Sequence, residues 1–103
     1  MLKIRFERFD WDAANRGKCQ AHGVSIAEIE NALLLDDMLF LHDTKHSQDE
    51  QRYIAAGPTH TGRYLFVAYT LRTIDEQLAL RPITARYMHK DEAERYEQAR
   101  TEI

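Results

Sequence analysis

The sequence predicts a two-layer α+β domain in which helices pack on one face of an antiparallel sheet. Five segments show the alternation, or the β-branched and aromatic content, that is typical of strands. Three other segments show helical spacing and helix-capping residues. The last four strands follow one another through short connections, which indicates an antiparallel meander. The predicted order is therefore β-α-α-β-β-β-β-α, with the helices on one side of the sheet.

Length and composition predict a single domain over residues 1–103. The chain contains 44% hydrophobic and 30% charged residues, which is ordinary for a globular protein. No apolar run approaches the roughly 18 residues needed to cross a membrane, and residues 1–9 lack the apolar core of a signal peptide. Cys19 is the single cysteine, so an intrachain disulfide cannot form. We therefore expect a protein of the reducing cytoplasm with no membrane partner.

The first predicted elements are a strand and a helix. Residues 2–8 alternate between apolar and charged side chains, which predicts a half-buried strand. Asp10 or Asp12 can cap the helix that follows. Gly23 is placed to end that helix, because glycine readily adopts the left-handed conformation of a helix terminus.

A second helix and a short strand follow. Ser25-Ile26-Ala27-Glu28 has the S-x-x-E form of a capping box, which predicts a helix from there to about Leu35. Met38 to Leu41 is a short apolar run and predicts a strand. The polar segment from His42 to Glu50 predicts a loop.

Two further strands are expected in the middle of the chain. Arg52 to Ala56 predicts the first, and Thr59 to Gly62 predicts the turn after it. Arg63 to Thr70 is the most apolar and β-prone segment, which favours a central strand. Leu71 to Glu76 predicts a looser connection.

The last strand and the last helix complete the fold. Gln77 to Arg86 predicts a strand, and Pro82 indicates an edge or a bulge because proline cannot donate a ladder hydrogen bond. His89 to Thr101 has Ala93 and Tyr96 at helical spacing, which predicts a C-terminal helix.

Several segments of this chain together resemble the BrnT family of toxins. No single segment is specific, but their order and spacing match from Phe6 to Gln98. The matching segments are FDWDAAN (9–15), HGV (22–24), RYIAAG (52–57), ITAR (83–86) and EAERYE (92–97). Three features depart from the family pattern: Tyr87-Met88 replaces the usual R-x-A, Pro82 replaces a β-branched residue, and the pI near 5.9 is acidic.

The resemblance implies a fold similar to RelE-type toxins and a ribonuclease activity that arrests translation. It also implies neutralisation by a ribbon-helix-helix antitoxin. The complex of the two proteins then represses its own operon, so operator DNA is contacted only through the antitoxin. No cofactor is expected.

Metal-independent RNA cleavage requires a base for the 2′-hydroxyl, an acid for the 5′-oxygen and cations for the phosphate charge. Histidine suits proton transfer near neutral pH, and arginine can bind two phosphate oxygens at once. The residues expected to be catalytic are His22, Arg86, Arg52 and Glu76, with Glu50 as a second candidate base. The residues expected to bind RNA are Lys18, Arg16 and Arg63. His42 and His46 lie four residues apart, but in a loop-like segment, so we expect no metal site.

Each candidate also has a purely structural explanation. His22 can cap the end of its helix, and Arg86 can form a salt bridge with Glu92 or Glu97. Trp11 is expected to anchor the core rather than stack on a base, and Cys19 is expected to be a small buried apolar residue rather than a nucleophile.

One alternative function stays open at the level of the whole chain. The protein can be a binding module that has the toxin fold but no catalysis. The net charge of −3 and the Tyr87-Met88 pair favour this alternative, because phosphate binding normally leaves a basic surface.

Overall fold

A five-stranded mixed sheet forms the centre of the protein, and helices cover parts of both its faces. The computed structural model describes residues 5–35, 37–46 and 50–101. The elements are β1 (Arg8–Phe9), α1 (Ala13–Gln20), α2 (Ile26–Leu33), β2 (Leu39–His42), a 3₁₀ turn (Thr44–His46), β3 (Tyr53–Pro58), β4 (Tyr64–Ile74), β5 (Gln77–Tyr87) and α3 (Lys90–Thr101). The strand order across the sheet is β1-β5-β4-β3-β2. The predicted order of strands and helices is confirmed.

The sheet is not purely antiparallel, so that part of the prediction is wrong. β2 to β5 form the expected antiparallel meander, but β1 pairs parallel to β5, with Arg8 opposite Ala79. The reason is that α1 is anchored beside Pro82, further along β5, so the chain from β1 to α1 runs in the same direction as β5. The predicted strand over 2–8 begins outside the described residues, and the observed strand has two residues.

The helices lie on both faces, which corrects the prediction that they share one. Side chains alternate along β4, so Val67 faces α1 and α2 while Phe66 faces α3. The larger core, on the side of α1 and α2, contains Cys19, Ile29, Leu33, Phe40, Val67, Tyr69 and Leu80. The smaller core, under α3, has Leu39, Ala56 and Tyr96 as its buried members. A central strand that is apolar on both sides requires cover on both sides.

The predicted helix ends are largely confirmed. Asp12 caps α1, and Gly23 has a φ of 86°, the left-handed conformation expected after a helix. Ser25 caps α2 by accepting a hydrogen bond from the Glu28 backbone N–H. The second half of that capping box is replaced, since the Glu28 carboxylate accepts hydrogen bonds from Tyr87 and Thr61 instead.

The β4–β5 hairpin is longer than predicted. β4 continues to Ile74 where a loose connection over Leu71–Glu76 was expected. A two-residue turn, Asp75-Glu76, joins the strands, and both residues have positive φ angles of 51° and 66°, as tight hairpin turns require. The turn contains no glycine, which is why the sequence did not reveal it.

A bulge interrupts β5 next to Pro82, as predicted. Ala68 pairs with Thr84 while Tyr69 pairs with Pro82, so Ile83 has no partner on β4. Pro82 lies beyond the short β1, where the edge of β5 is open to α1. None of the helices in the described ranges is long and apolar enough to cross a membrane.

Candidate active site

Asn15 fixes α1 to the bulged part of β5. Its buried side-chain amide donates hydrogen bonds to the carbonyl oxygens of Asp10, at 2.9 Å, and Pro82, at 2.8 Å. Its side-chain oxygen accepts from the Asp12 backbone N–H at 2.7 Å, while the Asp12 carboxylate accepts from the Asn15 backbone N–H. This reciprocal capping box directs α1 along the open edge of β5.

His22 is held at that edge by the residues on both sides of it. Cys19 and Val24 are almost completely buried in the larger core, and Gly23 makes the turn between them. Burial raises the pKa of the Cys19 thiol to about 11, which makes it a structural apolar residue, as predicted. His22 itself is exposed, so its imidazole is available to a ligand.

His22 and Arg86 line the same groove. This groove, which we name the β5 groove, has a volume of about 380 Å³ and lies largely on the α3 side of the sheet. It is lined by His22, Ile54, Phe66, Ala68, Thr84, Ala85 and Arg86. The structure therefore brings together two of the four residues expected to be catalytic.

Arg86 forms a bidentate ion pair with Glu92 from the first turn of α3. The two N–O distances are both 2.8 Å, and Glu92 also accepts from the His89 backbone N–H. The ion pair raises the pKa of Arg86 and, together with the His89 hydrogen bond, lowers that of Glu92 to about 2. The guanidinium also lies 4.6 Å from the centre of the Phe66 ring. The Arg86–Glu92 salt bridge, which the sequence offered as a structural explanation of Arg86, is therefore present.

The ion pair leaves part of Arg86 available. Glu92 and the Tyr87 carbonyl oxygen use three of the five guanidinium N–H groups. The Nε–H and one Nη2–H have no protein partner among the described residues, and the side chain is 42% exposed. These two N–H groups form the side edge that can bind a phosphate without displacing Glu92.

Lys18 lies in a second recess beside the β5 groove. This recess, of about 210 Å³, is lined by Ala14, Asn15, Lys18, Arg81, Pro82 and Ile83. Arg81 forms ion pairs with Asp10, at 3.4 Å, and with Asp12, at 2.9 Å. Lys18 thus lies next to the groove that contains His22, one helical turn earlier in the chain.

Arg52 and Arg63 lie at opposite ends of the sheet. Each precedes its strand, and β3 and β4 are antiparallel, so the two starts are far apart. The Arg63 guanidinium lies 3.4 Å from the centre of the Tyr87 ring, and Tyr87 packs on the face opposite to Arg86. Neither arginine lines the β5 groove.

Arg16 and Glu76 are also separate from the groove. Arg16 is exposed and its guanidinium lies 5.7 Å from the centre of the Trp11 ring. Trp11 itself packs against the larger core and donates a hydrogen bond to Glu30 at 2.8 Å, in agreement with a structural role. Glu76 lies in the β4–β5 turn, roughly 27 Å along the strand from Thr84 at about 3.4 Å per residue. Glu76 therefore lies too far away to act as a base in the β5 groove.

The described part of the chain contains no group of three or more His, Cys, Asp or Glu residues that could hold a metal ion. His42 forms a hydrogen bond with the side chain of Gln51. The side chain of His46 lies outside the described part of the structure.

The residues of the groove floor were not identified from the sequence. Ile54, Phe66, Ala68 and Thr84 come from three strands, and only the strand register places them together. One signal was present: Thr84 and Arg86 are two residues apart in a strand, so they lie on the same face.

Comparison with protein families identifies a match over most of the chain. Residues 11–92 match the family described as ribonuclease toxin, BrnT, of type II toxin-antitoxin system. No curated protein matches the chain. The matched range includes α1, the whole sheet except β1, and the first turn of α3 up to Glu92.

Proposed function

The chain belongs to the BrnT family of ribonuclease toxins, and on that premise we propose that it is a metal-independent endoribonuclease that arrests translation. The observation that carries this proposal is the β5 groove, in which His22 and Arg86 line one cavity. These two residue types supply a proton acceptor and a phosphate-binding cation, which RNA cleavage by the 2′-hydroxyl needs.

In the proposed reaction His22 takes the proton from the 2′-hydroxyl, and the 2′-oxygen attacks the adjacent phosphorus. The bond from phosphorus to the 5′-oxygen breaks, and that oxygen takes a proton from a water molecule in the open groove. The resulting hydroxide takes the proton held by His22, which restores the neutral imidazole. The products are a 2′,3′-cyclic phosphate and a 5′-hydroxyl. Arg86 stabilises the extra negative charge on the phosphate oxygens through its Nε–H and Nη2–H groups. Lys18, in the adjacent recess, binds the neighbouring phosphate.

Glu92 positions Arg86 in this reaction. A free arginine side chain loses rotamer entropy when it binds phosphate. The bidentate ion pair with Glu92 and the contact with Phe66 hold the guanidinium before substrate arrives. The Arg86 side chain is therefore already ordered in the free protein, so phosphate binding costs less conformational entropy.

The family of the chain implies an antitoxin partner. We propose that this partner is a ribbon-helix-helix protein encoded next to the toxin, and that the toxin contacts operator DNA only as part of that complex. With RNA as the proposed substrate, we propose that the free toxin acts in the cytoplasm. The fold similarity to RelE-type toxins also remains a proposal.

One observation favours a second function, that of a catalytically inactive binding module. Glu92 places a carboxylate directly on Arg86, in a chain whose net charge is already −3. Both features oppose the approach of RNA. In that case the β5 groove would bind a partner without cleaving it.

The test compares induced expression of the wild type, Arg86→Ala and Glu92→Gln in a bacterial host, with growth and total RNA followed together. Both substitutions weaken the same ion pair, but only the first removes the guanidinium. We expect growth arrest and RNA loss with the wild type, weaker forms of both effects with Glu92→Gln, whose side-chain oxygen can still accept a hydrogen bond from Arg86, and neither effect with Arg86→Ala.

Solubility and thermal melting of each variant control for folding. If Arg86→Ala folds and still arrests growth, the assignment of Arg86 is wrong. If soluble wild-type protein causes no arrest, the binding-module function is correct instead. If both variants lose activity equally, Arg86 acts only through its structural pair.

A further inference from the structure

The β5 groove has an apolar floor, which phosphate chemistry alone does not require. Ile54, Phe66 and Ala68 line it, and Thr84 supplies a polar group among them. The remaining polar side chains of the lining are His22, the proposed proton acceptor, and Arg86, the proposed phosphate-binding cation. The groove therefore combines an apolar surface with a phosphate-binding side.

The strand register explains how the depression forms. Ile54, Ala68 and Thr84 lie side by side on β3, β4 and β5 and point to the same face of the sheet. Ala68 is the smallest of the three and occupies the middle strand. Its short side chain leaves a gap between its larger neighbours, and this gap is open because α3 covers the adjacent residues instead.

We propose that the β5 groove is a binding site for one nucleobase of single-stranded RNA, next to the scissile phosphate. The proposal rests on the ribonuclease function proposed above. The base lies over Ala68 against Ile54 and Phe66, and its edge forms a hydrogen bond with the Thr84 hydroxyl.

The chemistry of the lining favours this occupant. The guanidinium of Arg86 lies over the Phe66 ring, 4.6 Å from its centre, and unpaired bases stack on aromatic rings and on arginine guanidinium groups. The Thr84 hydroxyl has no hydrogen-bond partner within the described ranges, and a hydroxyl can both donate and accept. It can therefore pair with either a donor or an acceptor on the edge of a base.

Size and charge also agree with a nucleotide. A volume of about 380 Å³ is at the lower end of the range for small-molecule sites, about 300–1,000 Å³. It accepts one base and is too small for a duplex. Bases in A-form duplexes are stacked and paired, so only a base from a single-stranded segment can enter the groove. A phosphate attached to that base reaches the cationic side at Arg86.

The test uses single-stranded DNA tetranucleotides, which lack the 2′-hydroxyl and so cannot be cleaved by the proposed reaction. Four versions vary the base at one position, and backbone amide NMR signals map where each binds on the purified full-length protein. Ala68→Leu fills the gap, and Thr84→Val removes the hydroxyl while retaining the shape. Matched controls are Ala99→Leu, which lines the neighbouring groove under α3, and Thr73→Val, an exposed threonine near the β4–β5 turn.

We expect the amides of Ile54, Ala68 and Thr84 to shift with the wild type and both controls. Ala68→Leu should weaken binding about tenfold or more, and Thr84→Val should weaken binding of the tetranucleotides by about fivefold. RNA cleavage by the same proteins, measured in parallel, separates this proposal from the proposed function.

Shifts located outside the groove, or affinities that Ala68→Leu leaves unchanged, would overturn the subsite. Groove shifts that appear only on addition of the antitoxin would overturn it too and would assign the groove to that protein. If the tetranucleotides bind in the groove but the wild type cleaves no RNA, the nucleobase site stands and the ribonuclease function fails.

Discussion

At the scale of single residues, the pairing of Arg86 with Glu92 is the contact that most affects the proposed site. Arg86 ends β5 and Glu92 begins α3, so one ion pair holds the side chain on the groove and the helix on the sheet. Its strength depends on pH through the carboxylate. The pKa of Glu92 falls from an ordinary value near 4.5 to about 2, first because of the Arg86 hydrogen bonds and then because of the His89 backbone N–H.

A lowered carboxylate pKa stabilises the folded protein above the unfolded-state pKa and loses this effect as the pH falls toward the folded-state value. We therefore expect Glu92→Gln to cost about 1 kcal/mol at pH 6, with the difference from the wild type shrinking between pH 4.5 and 2. Thermal melting over this pH range measures it, with the exposed Glu94→Gln as control. A difference that stays constant with pH would contradict this assignment.

At the scale of elements, α1 owes its position to Asn15 more than to its own helical tendency. The helix has eight residues, which is too short to be stable alone. Asn15 connects it to the carbonyl groups of Asp10 and Pro82, and Arg81 adds ion pairs with Asp10 and Asp12. The position of α1, and with it the edge of the β5 groove at His22, therefore depends on Asn15.

Asn15→Ala should destabilise the protein by about 2–4 kcal/mol, because it leaves two carbonyl groups without their donor and removes half of the capping box. Urea unfolding measures this loss. Asn31→Ala, at an exposed position of α2, is the matched control and should cost less than about 0.5 kcal/mol. Equal costs for the two variants would show that the Asn15 hydrogen bonds do not anchor α1.

At the scale of the whole molecule, two cores of unequal size share one sheet. The larger lies under α1 and α2, and the smaller holds α3 mainly through Tyr96. Tyr96 stacks edge-on against Tyr64 at 5.7 Å and donates a hydrogen bond to the Asp37 carbonyl oxygen. Tyr64 in turn donates to Glu97 at 2.7 Å. The Glu92, Tyr96 and Glu97 side chains of the family-like EAERYE segment thus all dock α3.

Because Tyr96 is the one buried residue of α3, we expect this helix to open at a lower free energy than the rest of the fold. Amide hydrogen exchange should give α3 an opening free energy at least about 2 kcal/mol below that of β4. Tyr96→Ala should increase exchange in α3 selectively. Equal protection of α3 and β4 would show instead that the two cores unfold as one unit.

The sequence alone determined the elements and their order, because these depend on local patterns. Alternation predicted the strands, Asp12 and Ser25 predicted helix starts, and Gly23 predicted a helix end. Pro82 predicted the bulge in β5, since its missing N–H cannot join a ladder. The family was also visible in the order of short segments, and the family match confirms it.

Only the tertiary structure decided which residues meet. It placed β1 parallel to β5 and α3 on the second face, because both features depend on contacts between distant segments. It brought His22 and Arg86 together in one groove and left Glu76 and Arg63 away from it. Successive antiparallel strands begin at opposite ends of the sheet, and this separation depends on strand pairing that sequence patterns do not show. The sequence also did not reveal the groove floor at Ala68. A small residue leaves a cavity only beside larger residues on neighbouring strands, and the sequence does not show which residues those are.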